Sequence, residues 1–86
     1  MNIAMDKELE KYYEAQFVLF AEPGWRDFIQ QVNEMLAATN DISGIEDAKA
    51  LHYRQGECSI MRWIISWEPM VREAHKQLME DDNGTA

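Results

Sequence analysis

The sequence is poor in residues that cross-link or interrupt a chain, with one cysteine, two prolines and four glycines among 86 residues. The single cysteine, Cys58, excludes an internal disulfide, and a lone thiol is more typical of a reducing compartment than of a secreted scaffold. No apolar run approaches the roughly 20 residues that a membrane span requires. Residues 1–7 also lack the basic stretch and apolar core of a signal peptide. We therefore expect neither export nor membrane insertion.

Basic residues are scarce as well. Eight Lys and Arg stand against sixteen Asp and Glu, and the formal net charge is −8. This balance argues against unassisted binding to nucleic-acid backbones or anionic lipid, because both attract cationic surfaces. It is compatible with docking onto a basic surface of another protein, although acidic solvated faces are common in soluble proteins. We expect no direct nucleic-acid or membrane partner.

The length of the chain predicts one helical domain over residues 1–86, with flexible ends at about residues 1–5 and 80–86. A domain this small buries only about 60% of the surface of its unfolded chain. Its stability is therefore marginal unless a disulfide, a metal or a partner subunit adds to it. Since an internal disulfide is excluded, oligomerisation is a natural remedy.

Apolar residues recur at helical spacing in the first half of the chain. The first helix is predicted over residues 6–21, with Asp6 as its N-cap, and it ends because proline pushes the preceding Glu22 away from the helical region. Pro23 suits the first turn of a second helix, which precedes a polar loop that begins at residue 39. The connection is short and favours an antiparallel hairpin. The apolar residues of these two helices are Leu9, Tyr12, Tyr13, Phe17, Phe20, Trp25, Phe28, Ile29, Val32, Met35 and Leu36.

A third helix is predicted after a polar loop at residues 39–44. Ser43 and Glu46 form a capping-box pattern that marks its start. Gly56 lies inside this helix and costs about 1 kcal/mol relative to alanine, which a long helix tolerates when its neighbours pack.

Pro69 is the main irregularity of the third helix. It lacks a backbone donor and crowds the carbonyl of Ile65, which predicts a kink, with a restart as a fourth helix as the alternative. The helix is expected to end near Met79, before a frayed polar tail at residues 81–86. The predicted fold class is all-α: a three-helix bundle, or a helical hairpin plus a long third helix kinked near Pro69.

Apolar residues cover most of the circumference of the third helix between residues 58 and 71. Such a helix needs cover on several sides, and self-association or a partner would supply it. The alternative is that the first two helices flank it fully. Paired tryptophans at Trp63 and Trp67 suit either a core or an interface. The candidate interface residues are Ile60, Trp63, Ile64, Trp67 and Val71.

The polar segment at residues 52–57 has two interpretations, a recognition patch and, more simply, a solvated face. Catalytic, metal-binding and cofactor-binding patterns are not found, and we expect no cofactor. His52 and His75 lack partners at metal-ligand spacing. His52 also lies about 240° around the helix from Cys58, which leaves that thiol without an adjacent base. Asp41 and the two acidic residues near it lack the alternation of a calcium loop.

Several short segments resemble small proteins of unassigned function from tailed bacteriophages, especially short-tailed (podovirus-like) ones. The resemblance extends from about residue 9 to residue 74. The segments that carry it are Phe17 to Ala21 followed by Glu22-Pro23-Gly24-Trp25-Arg26-Asp27-Phe28-Ile29, then Ile45-Glu46-Asp47 and Tyr53-Arg54-Gln55-Gly56-Glu57. The resemblance assigns no functional residue, and it implies a protein acting in an infected bacterium or carried in the virion.

Three functional hypotheses follow from the sequence. The favoured one is a non-catalytic virion or assembly accessory that acts through a helical oligomer interface, with a second copy or another phage or host protein as partner. The alternative is an acidic host-directed inhibitor that occupies a basic nucleic-acid-binding surface of a host protein. A small enzyme is disfavoured, because no acid and base pair on one helix face. The expected location is the cytoplasm of an infected cell or the virion.

Overall fold

The computed structural model describes residues 6–84, and 87% of these residues are helical. Three helices follow one another along the chain: α1 (Lys7–Ala21), α2 (Pro23–Thr39) and α3 (Ala48–Gly84). No strand occurs in this described range, and the prediction of an all-α fold with three helices is confirmed. Of the flexible ends predicted at about residues 1–5 and 80–86, residues 1–5 and 85–86 lie outside the described residues.

The boundary residues of α1 and the start of α2 agree with the sequence. The Asp6 side chain accepts a hydrogen bond from the backbone N–H of Leu9 at 2.8 Å and so caps α1. Glu22, at φ −73° and ψ 136°, has left the helical region, and its N–H donates to the carbonyl of Leu19 at 3.1 Å. Pro23 is the first residue of α2, because its fixed φ suits a first helical turn.

The start of α3 differs from the prediction. Ser43 does not cap the helix, because α3 begins only at Ala48. Its backbone N–H and hydroxyl both donate to Asp41 Oδ1, at 2.9 and 2.7 Å, and Gly44 then adopts φ +88°, a left-handed conformation that no first helical turn contains. The cap is Asp47, whose Oδ1 accepts the N–H of Ala50 at 2.7 Å. The capping-box prediction was wrong because the left-handed turn at Gly44 directly follows Ser43, so the first helical turn comes later.

The C-terminal part of α3 is also longer than predicted. The helix passes through Pro69 in one piece, so the alternative of a fourth helix is wrong, while the kink itself stays a prediction. It reaches Gly84, whereas the sequence predicted an end near residue 79. No proline or glycine intervenes between Pro69 and Gly84, and Lys76 pairs with Glu80 at 3.9 Å, four residues on.

The chain divides into two compact units, each described separately. Within the described range, the first comprises residues 6–25 and 67–84. In it α1 runs antiparallel to the end of α3, since Gln16 bonds to Trp67 whereas the earlier Tyr13 contacts the later His75. Its buried core is Tyr13, Phe20 and Val71, with Leu9, Phe17, Trp25, Trp67 and Leu78 packed against it.

The second unit comprises residues 26–66, which include most of α2, the loop and the first part of α3. Val32 and Cys58 are its buried residues. Arg54 ties the loop to the end of α2, because its Nη1 donates to the carbonyls of Thr39 and Asp41 at 3.2 and 2.9 Å. A cation at that end also suits the helix dipole. The antiparallel hairpin predicted for α1 and α2 would join helices of different units, and it stays a prediction.

Candidate interaction surface

Four residues of α3 lie on the side of the helix away from the buried Cys58. They are Tyr53, Gly56, Ile60 and Trp63, and steps of three and four residues keep them on one face at about 100° per residue. Cys58 is 3% exposed, whereas Tyr53, Ile60 and Trp63 are 73%, 63% and 56% exposed. We call these four residues the outer face of α3. Within its unit, the helix buries one side and presents an apolar surface on the other.

Gly56 lies in the middle of this face. A methyl group placed on its Cα would meet no side chain or other non-local atom of residues 6–84 within 4 Å. Its φ is not positive, so the helix does not require a glycine there. The residue therefore costs about 1 kcal/mol relative to alanine, with no compensating contact in the described chain. The sequence alone had presented Gly56 only as a tolerated irregularity.

The part of α3 that carries Ile60 and Trp63 of the outer face has few charges, although the chain as a whole is strongly acidic. Residues 58–67 contain no Asp or Glu, and Arg62 is their one charged residue. The nearest carboxylate before them, Glu57, lies 4.0 Å from the guanidinium of Arg54. Two surfaces of this kind can meet without bringing carboxylates together, and this distinguishes the face from the acidic remainder of the chain.

The five candidate interface residues do not share one environment. Ile60 and Trp63 are exposed, and Ile64 is half-buried. Val71 is 6% exposed within the core of the first unit, and Trp67 packs against that core while its Nε1 donates to Gln16 Oε1 at 3.0 Å. The interface itself stays a prediction, but Val71 and Trp67 already have neighbours within the chain. Tyr53, which the sequence placed in a polar segment, is more exposed than any of the five.

A polar network that the sequence did not predict covers the core of the first unit. Glu68 accepts hydrogen bonds from Trp25 Nε1 and from Arg72 Nε, each at 2.8 Å. The Arg72 guanidinium lies 5.4 Å from the ring centroids of both Phe17 and Phe20, within cation–π range. The spacing of four residues in one helix is typical of an ion pair such as that of Glu68 and Arg72. No sequence pattern links either residue to Trp25, which is more than 40 positions away.

The Cys58 thiol lies next to the Asn40 side chain and borders a cavity. Its Sγ lies 3.9 Å from Asn40 Oδ1, which also accepts from Arg62 Nη2 at 3.3 Å. A partly open cavity of about 310 Å³ adjoins it. The lining residues are Asn40, Ile42, Leu51, Arg54, Gln55, Cys58 and Arg62. None of them is a histidine or a carboxylate, so the lining supplies no base to the thiol.

The histidines have different surroundings. His75 lies in the first unit, where its ring meets those of Tyr13 and Phe17 edge-on at 4.9 Å each, and His52 is exposed in the second. Among the side chains that the structure describes, at residues 6–81, no three His, Cys, Asp or Glu come together in a way that would hold a metal ion. The described helices also contain no stretch with the length and hydropathy needed to cross a bilayer.

One carboxyl group has a clearly displaced pKa. The pKa of Asp41 lies below its ordinary value of 3.8, chiefly because the Ser43 hydroxyl and backbone N–H donate to the carboxylate. Desolvation opposes this lowering of the pKa, and the charge of Arg54 adds to it as the smallest of these effects. A lowered pKa in the folded state means that the ionised carboxylate stabilises the loop above pH 3.8 and loses this effect as the pH falls through the folded value.

We therefore expect Asp41→Asn to reduce the acid sensitivity of the protein. The variant should be slightly less stable than the wild type at pH 7, because the amide accepts the Ser43 hydrogen bonds without a charge. It should then lose less stability between pH 5 and about pH 2. Urea unfolding at a series of pH values measures both effects, with Asp27→Asn as the exposed control. Equal losses in the wild type and Asp41→Asn would contradict the assignment.

The apolar outer face of α3 thus combines two candidate residues from the sequence, Ile60 and Trp63, with Tyr53 and Gly56. Comparisons with models of protein families, with curated proteins and with solved structures found no match to this chain.

Proposed function

We propose that this chain is a non-catalytic interaction protein that acts by assembling through the outer face of α3. One observation carries the proposal: three large apolar side chains, Tyr53, Ile60 and Trp63, are each more than half exposed on one helix face. Single exposed apolar residues are ordinary on protein surfaces, but a contiguous set marks an interaction site. Aromatic residues such as Tyr53 and Trp63 are also the typical anchors of interfaces.

The size of the face indicates a reversible contact. Large aromatic side chains bury about 150–250 Å² each when covered, so the exposed parts of these three side chains amount to roughly 400 Å². A standard interface buries about 800 Å² per partner. The three side chains supply about half of that area, and the smaller neighbours on the same helix supply the rest. An association in the micromolar range fits this area better than an obligate assembly.

Within this class we propose an accessory role in phage virion assembly. The support is the resemblance of this chain to small proteins of tailed bacteriophages. One of the segments that carry the resemblance, residues 53–57 of this chain, includes Tyr53 and Gly56 of the outer face. A small subunit that associates reversibly through one helix face is suited to joining a larger assembly. The alternative role, an acidic inhibitor of a host protein, would instead act through the charge of −8 and would be sensitive to salt.

The test is the native mass of the chain across a concentration series, measured by light scattering or sedimentation equilibrium. The wild type should rise above its monomer mass of 10.1 kDa as concentration increases. Ile60→Lys should weaken the association at least tenfold, because it places a charge within the apolar contact. Val18→Lys is the matched control, since Val18 on α1 is exposed to the same 63% as Ile60, and it should associate like the wild type.

Two results would contradict the proposal. One is a wild type that remains a monomer at millimolar concentration and binds no other protein through this face. The other is equal weakening by Ile60→Lys and Val18→Lys, which would mean that added charge in general, and not the outer face, controls association. A monomer that binds a basic host protein and is released by moderate salt would favour the inhibitor role.

A further inference from the structure

We infer that the occupant of the outer face is a second copy of this chain, packed antiparallel, with Trp63 of each copy over Gly56 of the other. This inference rests on the proposed function and specifies its partner and geometry. The relevant residues all lie in one unit and on one helix, α3. The face has one position without a side chain, Gly56, between large apolar residues, and this gap indicates how two copies fit.

Open space lies beside Gly56. The helix is regular there, and a methyl group on this residue would meet no non-local atom of the described chain within 4 Å. Glycine is the residue that lets another chain approach a helix backbone closely. The partner, not the fold of this chain, therefore accounts for the missing side chain.

The outer face is self-complementary about one position of the helix. A two-fold axis that crosses α3 between Ser59 and Ile60 brings position 56 of one copy opposite position 63 of the other, and the same contact occurs twice. The glycine and the tryptophan are seven residues apart, or two helical turns, so both remain on the same face. Each of these two contacts joins a large side chain to an absent one, and the same axis brings Ile60 of the two copies next to each other.

The charge of the chain also favours this face for a second copy. Two molecules that each carry −8 repel one another unless the contact avoids unpaired carboxylates. Residues 58–67, through which the axis passes, contain no carboxylate, and the one carboxylate between Tyr53 and Trp63, Glu57, lies 4.0 Å from the Arg54 guanidinium. A basic partner attracted by charge would find its complement elsewhere on the acidic chain. The neutral face is thus suited to a second copy.

The decisive variant is Gly56→Ala. If the partner backbone and Trp63 pack on Gly56, the added methyl should weaken dimerisation at least tenfold. The same change should raise the midpoint of thermal unfolding of the dilute monomer by about 4 °C, because alanine is the better helix former. Gly24→Ala is the matched control, since a methyl group there also meets no non-local atom of residues 6–84 within 4 Å, and it should leave dimerisation unchanged.

Spin labels test the orientation. A label on Lys49→Cys in a Cys58→Ser background lies on the extension of the outer face. At 1.5 Å per residue, two labels in the antiparallel dimer should be about 30 Å apart, and in a parallel dimer about 10 Å. Pulsed electron–electron double resonance distinguishes these distances. The Cys58→Ser background should keep the wild-type helical content by circular dichroism.

The outcomes separate this inference from the proposed function. A dimer that Gly56→Ala does not weaken, or whose labels lie about 10 Å apart, would overturn the antiparallel packing and leave self-association in place. A monomer that binds a different protein, with loss of binding in Ile60→Lys, would overturn the second copy as partner and keep the interaction role. A monomer with no partner on this face would overturn both.

Discussion

Phe20→Ala is expected to lower the free energy of unfolding by about 3–5 kcal/mol. Phe20 is 2% exposed and is the largest fully buried side chain of the described chain. Its ring lies 5.3 Å from that of Trp25 and 6.4 Å from that of Phe17, and the Arg72 guanidinium lies 5.4 Å away. Truncation removes these contacts and leaves a cavity that α1 and the end of α3 cannot fill by a local shift.

The loss is large for a chain of this size. Stabilities of about 0.05–0.15 kcal/mol per residue give roughly 4–13 kcal/mol for 86 residues. We therefore expect Phe20→Ala to be partly or wholly unfolded at 37 °C. Urea unfolding followed by circular dichroism measures the change. Leu19→Ala, at an adjacent residue that is 41% exposed, should cost well under half as much, and comparable losses in the two variants would contradict the core assignment.

Glu68→Ala is expected to cost about 1–3 kcal/mol of unfolding free energy, although Glu68 lies on the surface of the first unit. Its two carboxylate oxygens accept from Trp25 Nε1 and Arg72 Nε at 2.8 Å each. The first bond joins residues 43 positions apart, so it closes a long loop. Removal deprives a half-buried indole N–H of this acceptor and releases the guanidinium that covers the aromatic core.

The control for this prediction is Glu73→Ala on the same helix. The Glu73 carboxylate accepts from Gln77 Nε2 at 3.1 Å, four residues on, and its loss should cost about 0.5 kcal/mol or less. Glu68→Gln should lie between Glu68→Ala and the wild type, because its carbonyl oxygen can still accept from Trp25. Midpoints of urea unfolding rank the three variants. If Glu68→Ala and Glu73→Ala were equally stable, the bond to Trp25 would contribute nothing.

The two halves of the apolar segment in α3 illustrate where the sequence pattern is ambiguous. Residues 58–71 are apolar around most of the helix, and this predicted a need for cover without showing what supplies it. In the first unit, α1 contacts Trp67 and buries Val71. In the second unit, Ile60 and Trp63 stay exposed. Periodicity reports which side chains are apolar, whereas the neighbour of each one depends on contacts far along the chain.

The starts of the helices also separate what the sequence predicts well from what it predicts poorly. Asp6 and Pro23 were predicted correctly because each acts within its own turn, one by accepting an N–H and the other by its fixed φ. Ser43 was predicted wrongly because the chain turns at Gly44, which has φ +88°, before the helix begins. The donors of Ser43 bind the side chain of Asp41, two residues earlier, and the cap is Asp47.

By itself the sequence determined the helical class, the number of helices, the break at residues 22–23 and the strong negative charge, since spacing, proline geometry and composition act locally. Only the tertiary structure decided that Trp25, Glu68 and Arg72 form one network and that Val71 is core while Ile60 is surface. It alone showed that Gly56 has open space beside it. These properties depend on contacts between residues that are 40 or more positions apart in the sequence. Such contacts decide which side chains are buried, because apolar area leaves water only where another surface covers it.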